Sequence, residues 1–139
     1  MSQELRIVVG DYRFIARLEN EKAPLTCAAF QNLLPFRQQL IQARWSGEAC
    51  WIPLGDLKLP VSYENMTSYP GRGEILFYPG GISETEILVP YGHTCFASKV
   101  GQLAGNHFLT ITEGSENLAV VGQLCLWHGA QPITFEWSL

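Results

Sequence analysis

The sequence predicts a mainly β protein, closed or nearly closed into a barrel of about eight strands, with one main α-helix over residues 24–34. Three observations carry that reading. Thirteen glycines and eight prolines interrupt the chain at short intervals, which leaves little room for long elements. Between them lie short runs rich in β-branched and aromatic residues, several of them alternating apolar with polar. Only one stretch combines a helix-start signal with helical spacing of its apolar residues. Many short strands beside a single helix favour closure, because a closed sheet has no exposed edge.

Taken in order, residues 5–9 and 12–18 flank Gly10-Asp11 and read as an opening hairpin. Alternation puts Phe14, Ala16 and Leu18 on one face of the second strand and Arg13, Ile15 and Arg17 on the other. Pro24 suits a first helical position, Phe30, Leu33 and Leu34 follow at i, i+3 and i+4, and Pro35 stops the helix. Further strands are expected at 39–45, 48–53, 74–78, 86–89, 108–112, 118–127 and 133–137. Residues 54–72 show no strand pattern, and loops above about 12 to 15 residues tend to be functional. With Tyr63, Met66 and Tyr69 in it, this stretch reads either as a lid or subunit contact or as a packed surface loop. No linker, repeat or low-complexity run divides the chain, so 1–139 is expected to be one domain.

Composition excludes whole classes of partner. Nine basic against thirteen acidic residues give a net charge of -4, with no basic cluster to meet a phosphate backbone or an anionic membrane surface. Hydrophobic residues make up 47% and charged ones 16%, enough to bury a core and too apolar for disorder. The richest apolar window, 118–127, is broken by Gly122 and Gln123 and falls short of the ~20 residues a spanning helix needs, so no membrane crossing is expected. The start of the chain carries an acid, Glu4, and only a short apolar run, unlike a secretory signal, and the expected location is cytoplasmic. Cys27, Cys50, Cys95 and Cys125 are too far apart for C-x-x-C chemistry and read as reduced core thiols.

The densest local signal is 42–51. If Ser46-Gly47 is a two-residue turn, Trp45 faces Glu48, and Ile41, Ala43, Trp45, Glu48, Cys50 and Ile52 share a face, with Gln42, Arg44 and Trp51 on the other. Arg44, flanked by Gln and Trp, suits a carboxylate or amide, since its planar fork takes bidentate partners and stacks on aromatic rings; the simpler alternative is a surface Arg covering a Trp. Glu48 reads as a base, an amine binder or a solvated turn acid. Glu84 and Glu86 fall on one face by period two, and two like charges that close raise one carboxyl towards neutrality, a route to a general acid; otherwise they are a solvated strand start. His93 and His107 sit beside turn glycines and titrate near neutrality, but their spacing matches no metal site, and no metal or cofactor is expected. His128 reads as a turn residue. There is no G-x-S-x-G elbow and no phosphate loop.

Residues 18–30, with an acidic turn, Ala23-Pro24, Thr26 and a helical Phe30, resemble the start of the cyclophilin fold. More closely, Ala43-Arg44-Trp45-Ser46-Gly47-Glu48-Ala49, Glu86-Ile87-Leu88 with Tyr91-Gly92, and Gly105-Asn106-His107-Phe108 resemble a bacterial family of small cyclophilin-like proteins with no assigned function. The resemblance spans essentially the whole chain and implies a cyclophilin-like barrel. Cyclophilins isomerise X-Pro bonds on a strand reading F-H-R-I-I-P-G-F, with the Arg three positions before the turn Pro. The position three before Ser46 is Ala43, so Arg44 is one residue late, and the F-x-x-Q-G-G-D continuation is missing. A one-residue offset reverses the face on a strand, and prolyl isomerase activity is not expected. The resemblance also reaches an opine synthase that cyclises an imine formed from histidine and an oxo acid, which implies that such a barrel can host acid/base chemistry.

The resulting expectation is an enzyme doing general acid/base chemistry of isomerase, lyase or cyclase type on a small carboxylate- or amide-bearing metabolite. Arg44 would bind the carboxylate, Glu86, alone or with Glu48, would act as base, and His93 or His107 as acid. Tyr69, Tyr91 and Asn106 would orient the ligand in a pocket between the barrel and 54–72 or at a subunit contact. The alternative is a non-catalytic binding or assembly subunit. Four Trp, five Tyr and seven Phe exceed what a small core must have and point to a pocket or a homomeric interface. The apolar end, 133–139, is expected to be a strand tied into the sheet or a tail on a neighbour, favouring a homo-oligomer.

Overall fold

The computed structural model describes residues 3–138. In chain order it contains β1 (Glu4–Val9), β2 (Tyr12–Leu18), α1 (Pro24–Gln31), β3 (Phe36–Gln42), β4 (Gly47–Gly55), β5 (Met66–Thr67) and β6 (Glu74–Tyr78). Then follow β7 (Thr85–Thr94), β8 (Ala97–Ser98), β9 (Gly101–Gln102), β10 (Gly105–Glu113), α2 (Leu118–His128) and β11 (Gln131–Trp137). Eight strands pair antiparallel in the order β2-β1-β11-β3-β4-β7-β6-β10, and β10 pairs with β2 to close the ring. β5 extends the far end of β10, while β8 and β9 form a separate small hairpin.

Alternation fills the ring from inside. Phe14, Ala16 and Leu18 of β2 are buried and Arg13 and Arg17 are exposed, as period two requires. The interior void, lined by Ile7, Val9, Phe14, Leu40 and their neighbours, is about 10 Å³, no larger than the ~10–15 Å³ that one water needs. α1 closes the Phe36–Phe135 end of β3 and β11. Its Phe30 stands edge-on to Phe36, Phe108 and Phe135 at centroid distances of 5.5, 5.0 and 5.3 Å. α2 closes the Leu40–Gln131 end, burying Leu118, Val121, Gly122 and Cys125.

Three expectations need correction. Residues 118–127 form a helix rather than a strand: the buried positions recur at i, i+3, i+4 and i+7, a helical spacing hidden in a run that is apolar on nearly every side. The first helix ends at Gln31 rather than 34, because Pro35 disfavours helical backbone at Leu34; Leu33 and Leu34 still pack on the core, from a turn. The strand expected at 39–45 is β3, shifted to Phe36–Gln42, and Arg44–Ser46 make a 3-10 turn. Gln42 pairs with Cys50 and the Ala43 N–H bonds to the Ala49 carbonyl at 2.9 Å, so Ser46-Gly47 is not a two-residue turn and Trp45 does not face Glu48. Of the two readings of 54–72, the packed loop fits: Leu54, which with Gly55 ends β4, lies against the core with Leu59 and Val61, and β5 pairs with β10. At the other terminus β11 is tied between β1 and β3, and the expectation for Leu139 lies outside the described residues.

Gly122 is the position where α2 comes closest to the barrel wall. A Cβ there would stand 2.5–2.6 Å from three ring carbons of buried Tyr91, whose hydroxyl is hydrogen-bonded with Gln42. Helix propensity alone favours Ala over Gly by roughly 1 kcal/mol, and overpacking costs typically 1–3 kcal/mol. Gly122→Ala is therefore expected to lower stability, by up to about 2 kcal/mol in urea unfolding; a stabilised variant would show that Tyr91 yields freely.

Candidate functional site

With the interior full, cavities large enough for a ligand lie outside the ring, and the one with aromatic walls stands on the outer face of β4, β7 and β6. The outward face of β4, β7 and β6 does not meet solvent. Ala43, Ala49, Leu76, Tyr78 and Leu88 form a second apolar cluster there under Phe96 and Leu103, and Trp51 packs against it. The segment that brings Phe96 is fastened at three points. Ser46 Oγ donates to the Ala97 carbonyl at 3.1 Å and accepts from the Ala97 N–H at 3.0 Å, the Ser46 carbonyl accepts from Cys95 N–H at 2.9 Å, and Phe96 N–H donates to the Ser68 carbonyl at 2.7 Å. Ser46 thereby fixes the β8–β9 hairpin against the turn that carries Trp45.

Between that hairpin and the loop after β6 lies a cavity of about 590 Å³. Ser98, Lys99 and Val100 form one wall, Ile82, Ser83 and Glu84 the other, and Trp45, Trp51 and Glu86 complete the lining. The second wall is held by Tyr78, whose hydroxyl accepts from the N–H groups of Ile82 (3.3 Å) and Ser83 (3.2 Å). Trp45 and Trp51 meet edge to face, with centroids 5.5 Å apart. The sequence expectation had set them on opposite faces; the 3-10 turn swings Trp45 back over β4.

Glu86 is the unusual member. It lies two residues before Leu88 on the same face, so strand alternation carries it under the cluster, and it is only 2% exposed. Its Oε1 has no hydrogen-bond partner. Burial pushes its carboxyl up to about 8, and the charge of Glu84 adds to the shift. The side chain therefore holds its proton at neutral pH. Among the described residues, the only other buried side-chain N or O atoms without a partner are Trp51 Nε1 and Thr85 Oγ1. Trp51 shares the outward face of Glu86, since Pro53 pairs with Glu86 two positions after Trp51 on β4, whereas Thr85, one residue before Glu86 on β7, turns to the other face. Unpaired buried polar groups cost roughly 1–3 kcal/mol each, and a fold rarely concentrates them without use.

The other residues expected at the site are not gathered there. Arg44 is exposed on the 3-10 turn and does not line the cavity, so the cation at the rim is Lys99. Glu48 is exposed, and its Oε1 accepts the His93 backbone N–H at 2.9 Å, across the bulge between Gly47 and Ala49; a Cβ at Gly92 would make the Glu48 carboxylate move aside. Glu48 and exposed His93 are thus neighbours at the opposite end of the β4–β7 pair from Glu86. His107 Nε2 lies 2.7 Å from Thr110 Oγ1, which donates to Glu19 Oε2 at 2.5 Å. Burial pulls the Glu19 carboxyl up, but the bonds from Thr110 and Arg17 and the nearby positive charges outweigh it and hold it below its ordinary value.

Tyr91 is buried under α2, and burial raises its hydroxyl. Tyr69 is exposed and reaches Gln102 at 3.4 Å. Asn106 is fully buried with its amide committed: Oδ1 accepts from Glu64 N–H at 3.1 Å, and Nδ2 donates to Thr26 Oγ1 and the Ser62 carbonyl at 3.1 and 3.0 Å. It ties the 54–72 loop to α1. The cysteines are free, with Cys27, Cys50 and Cys125 buried and Cys95 half-buried; burial pushes the Cys27 thiol up to about 12, which makes it inert. Among the described residues no three His, Cys, Asp or Glu side chains converge as a metal set, and no helix is long and apolar enough to cross a membrane.

The family described as "Protein of unknown function (DUF3830)" matches residues 5–137. The chain belongs to that family. No curated protein matches it. Among solved structures, the DUF3830 barrel is similar to McbB in complex with tryptophan, with a TM-score of 0.69 and 16% identity, over 95% of this chain and 44% of that one. It is also similar to the hypothetical protein AF2241 from Archaeoglobus fulgidus, with a TM-score of 0.65 and 18% identity, over 99% and 95% of the two chains. The DUF3830 chain thus spans less than half the length of McbB, and at these identities the likeness is one of fold.

The raised Glu86 carboxyl has a signature in stability. Between its unfolded value near 4.5 and its folded value of about 8, the folded state holds the proton that the unfolded state has lost, so stability falls as pH rises through that window. Chemical unfolding from pH 4 to 9 is expected to show this decline, and Glu86→Gln to flatten it and to be the more stable protein at pH 8. An equal slope in both would place the proton elsewhere.

Proposed function

We propose that this protein binds a small organic molecule in the outer cavity and exchanges a proton with it through Glu86, as an enzyme of isomerase, lyase or cyclase type. The observation that carries the reading is the buried, unpartnered Glu86 carboxyl in the lining of a cavity with aromatic walls. A carboxyl that stays neutral at pH 7 can donate to a carbonyl or imine and take the proton back, which is what general acid/base catalysis requires. Trp45 and Trp51 offer a slot for a flat apolar group, and Glu84 and Lys99 at the rim place opposite charges where a ligand's ammonium and carboxylate would lie. A zwitterionic, aromatic amino-acid-like molecule suits that pattern. The tryptophan bound by McbB is a ligand of that kind on a similar fold, which supports the choice of first probe.

The second reading is a binding protein without turnover, favoured by a lining that is mostly apolar or neutral, with Glu84 and Lys99 as the titratable side chains beside Glu86. Tryptophan, other aromatic amino acids and their oxo acids are the probes. A bound probe at 100 times its Kd stabilises by about 2.7 kcal/mol, a clear thermal shift. Trp51→Ala is expected to weaken probe binding at least tenfold. Glu86→Gln is expected to keep binding within a few-fold and to abolish solvent-proton exchange at the probe, followed by NMR in deuterated water. Equal loss of both would count against a catalytic Glu86, and binding unaffected by Trp51→Ala would move the site away from this cavity.

A further inference from the structure

Among the described residues, two of the three buried polar atoms without a partner belong to side chains that line the outer cavity, and the two differ in kind. Trp51 Nε1 can only donate, whereas Glu86 Oε1 belongs to a carboxyl that can accept. They do not bond each other. Trp51 pairs with Leu88 and Pro53 with Glu86, so Trp51 and Glu86 are diagonal neighbours on one face of the β4–β7 pair. Such neighbours stand about 7–8 Å apart along the backbone, within reach of long side chains and of one ligand group set between them. The cavity floor thus holds an unused donor and an unused acceptor, next to two Trp rings that meet edge to face.

We infer, resting on the binding reading above, that this floor recognises a lactam in the flat part of the ligand, its carbonyl accepting from Trp51 Nε1 and its adjacent N–H donating to Glu86 Oε1. Complementarity selects the group. A hydrocarbon ring leaves both atoms unpaired, the situation in which a polar site rejects a ligand most strongly. A carboxylate suits Trp51 but sets its lone pairs against Oε1, and an ammonium suits Glu86 but turns its N–H groups on the Trp51 N–H. A trans secondary amide is planar with its C=O and N–H on opposite sides, so it meets one atom at a time. A lactam ring holds the two on the same side, and both bonds form together. A primary amide has the same pair but no ring to lie beside Trp45 and Trp51. Burial also keeps a proton on Glu86 at neutral pH, and that O–H suits the second lone pair of the carbonyl. The two atoms are closed to water, and the exposed lining side chains Trp45, Ile82 and Val100 are free to turn aside as the ring enters.

The test is calorimetric titration of the full chain with two matched probe sets. Oxindolylalanine, which is tryptophan with a carbonyl beside the ring N–H, is compared with tryptophan, and oxindole with indole and N-methyloxindole. Each lactam is expected to bind at least about tenfold more tightly than its indole counterpart, and N-methylation to remove that gain. Trp51→Phe keeps a ring and loses the N–H, and Glu86→Met keeps the length and loses both oxygens; each is expected to bring the lactam preference below about threefold. Glu86→Gln, which still offers an acceptor and a donor, is expected to retain it. Melting temperatures of the ligand-free variants check their folding, and the N-methyl comparison needs no variant. Indole probes bound as tightly as their lactams, N-methyloxindole bound as tightly as oxindole, or a preference that survives both Trp51→Phe and Glu86→Met would overturn the lactam assignment and leave the cavity reading standing. No binding by any of the five probes would overturn both.

Discussion

Closure of the ring between β10 and β2 governs the rest of the molecule. Once eight antiparallel strands meet end to end, the inward side chains fill the space they enclose, and a barrel of this size has no room for a ligand unless large residues are missing. Here they are not missing: Phe14, Phe77, Phe108 and Phe135 point inwards, and the remaining void would barely take one water. Anything the protein does to a small molecule must happen on the outer wall. A wall of strands is flat, so a pocket there needs extra chain to stand over it. The β8–β9 hairpin and the loop after β6 supply that chain.

The same closure explains why Glu86 can remain neutral. Its neighbours Ile87 and Val89 face the inner core, and Glu86 and Leu88 face the outer cluster, so the strand is covered on both sides and the carboxyl has little water around it. The energetic cost of keeping an unpartnered acid there is borne by two cores at once. Ser46, buried and bonded to the backbone of residues 95 and 97, fixes how far the covering hairpin stands off the wall and hence how dry the cavity floor is.

Much of the fold was legible in the sequence because period-two alternation is a direct image of a half-buried strand: 5–9, 12–18 and 74–78 lie within or at the observed bounds of β1, β2 and β6. The helix at 118–128 was not, because a segment apolar on nearly all faces carries no period to read, and the reason it is apolar lies in its surroundings. The site was legible only in part. Like-charge spacing singled out Glu84 and Glu86, but burial, the larger cause of the shift, depends on Phe96 and the hairpin, which lie about ten residues further on. The position of Arg44 away from the cavity follows from a single backbone event, the 3-10 turn at 44–46, since one such turn rotates every later side chain relative to the strand before it. Asn106 has the chemistry to orient a ligand, but its amide is occupied in holding the loop to α1. A residue type suggests what a side chain can do; only its partners say whether it is free to do it.

Both walls of the cavity come from loop tips, Ile82–Glu84 and Ser98–Val100, while its acid sits on a central strand. Ile82–Glu84, Lys99 and Val100 lie outside the strand ladders and outside both cores, and only Ser98 is paired, with Gly101 in the β8–β9 hairpin, so most of these positions can change at little cost to folding while Glu86 stays in place. The shape and charge of the cavity mouth are thus set by positions uncoupled from the closure of the barrel, whereas Glu86 belongs to a strand that both cores hold.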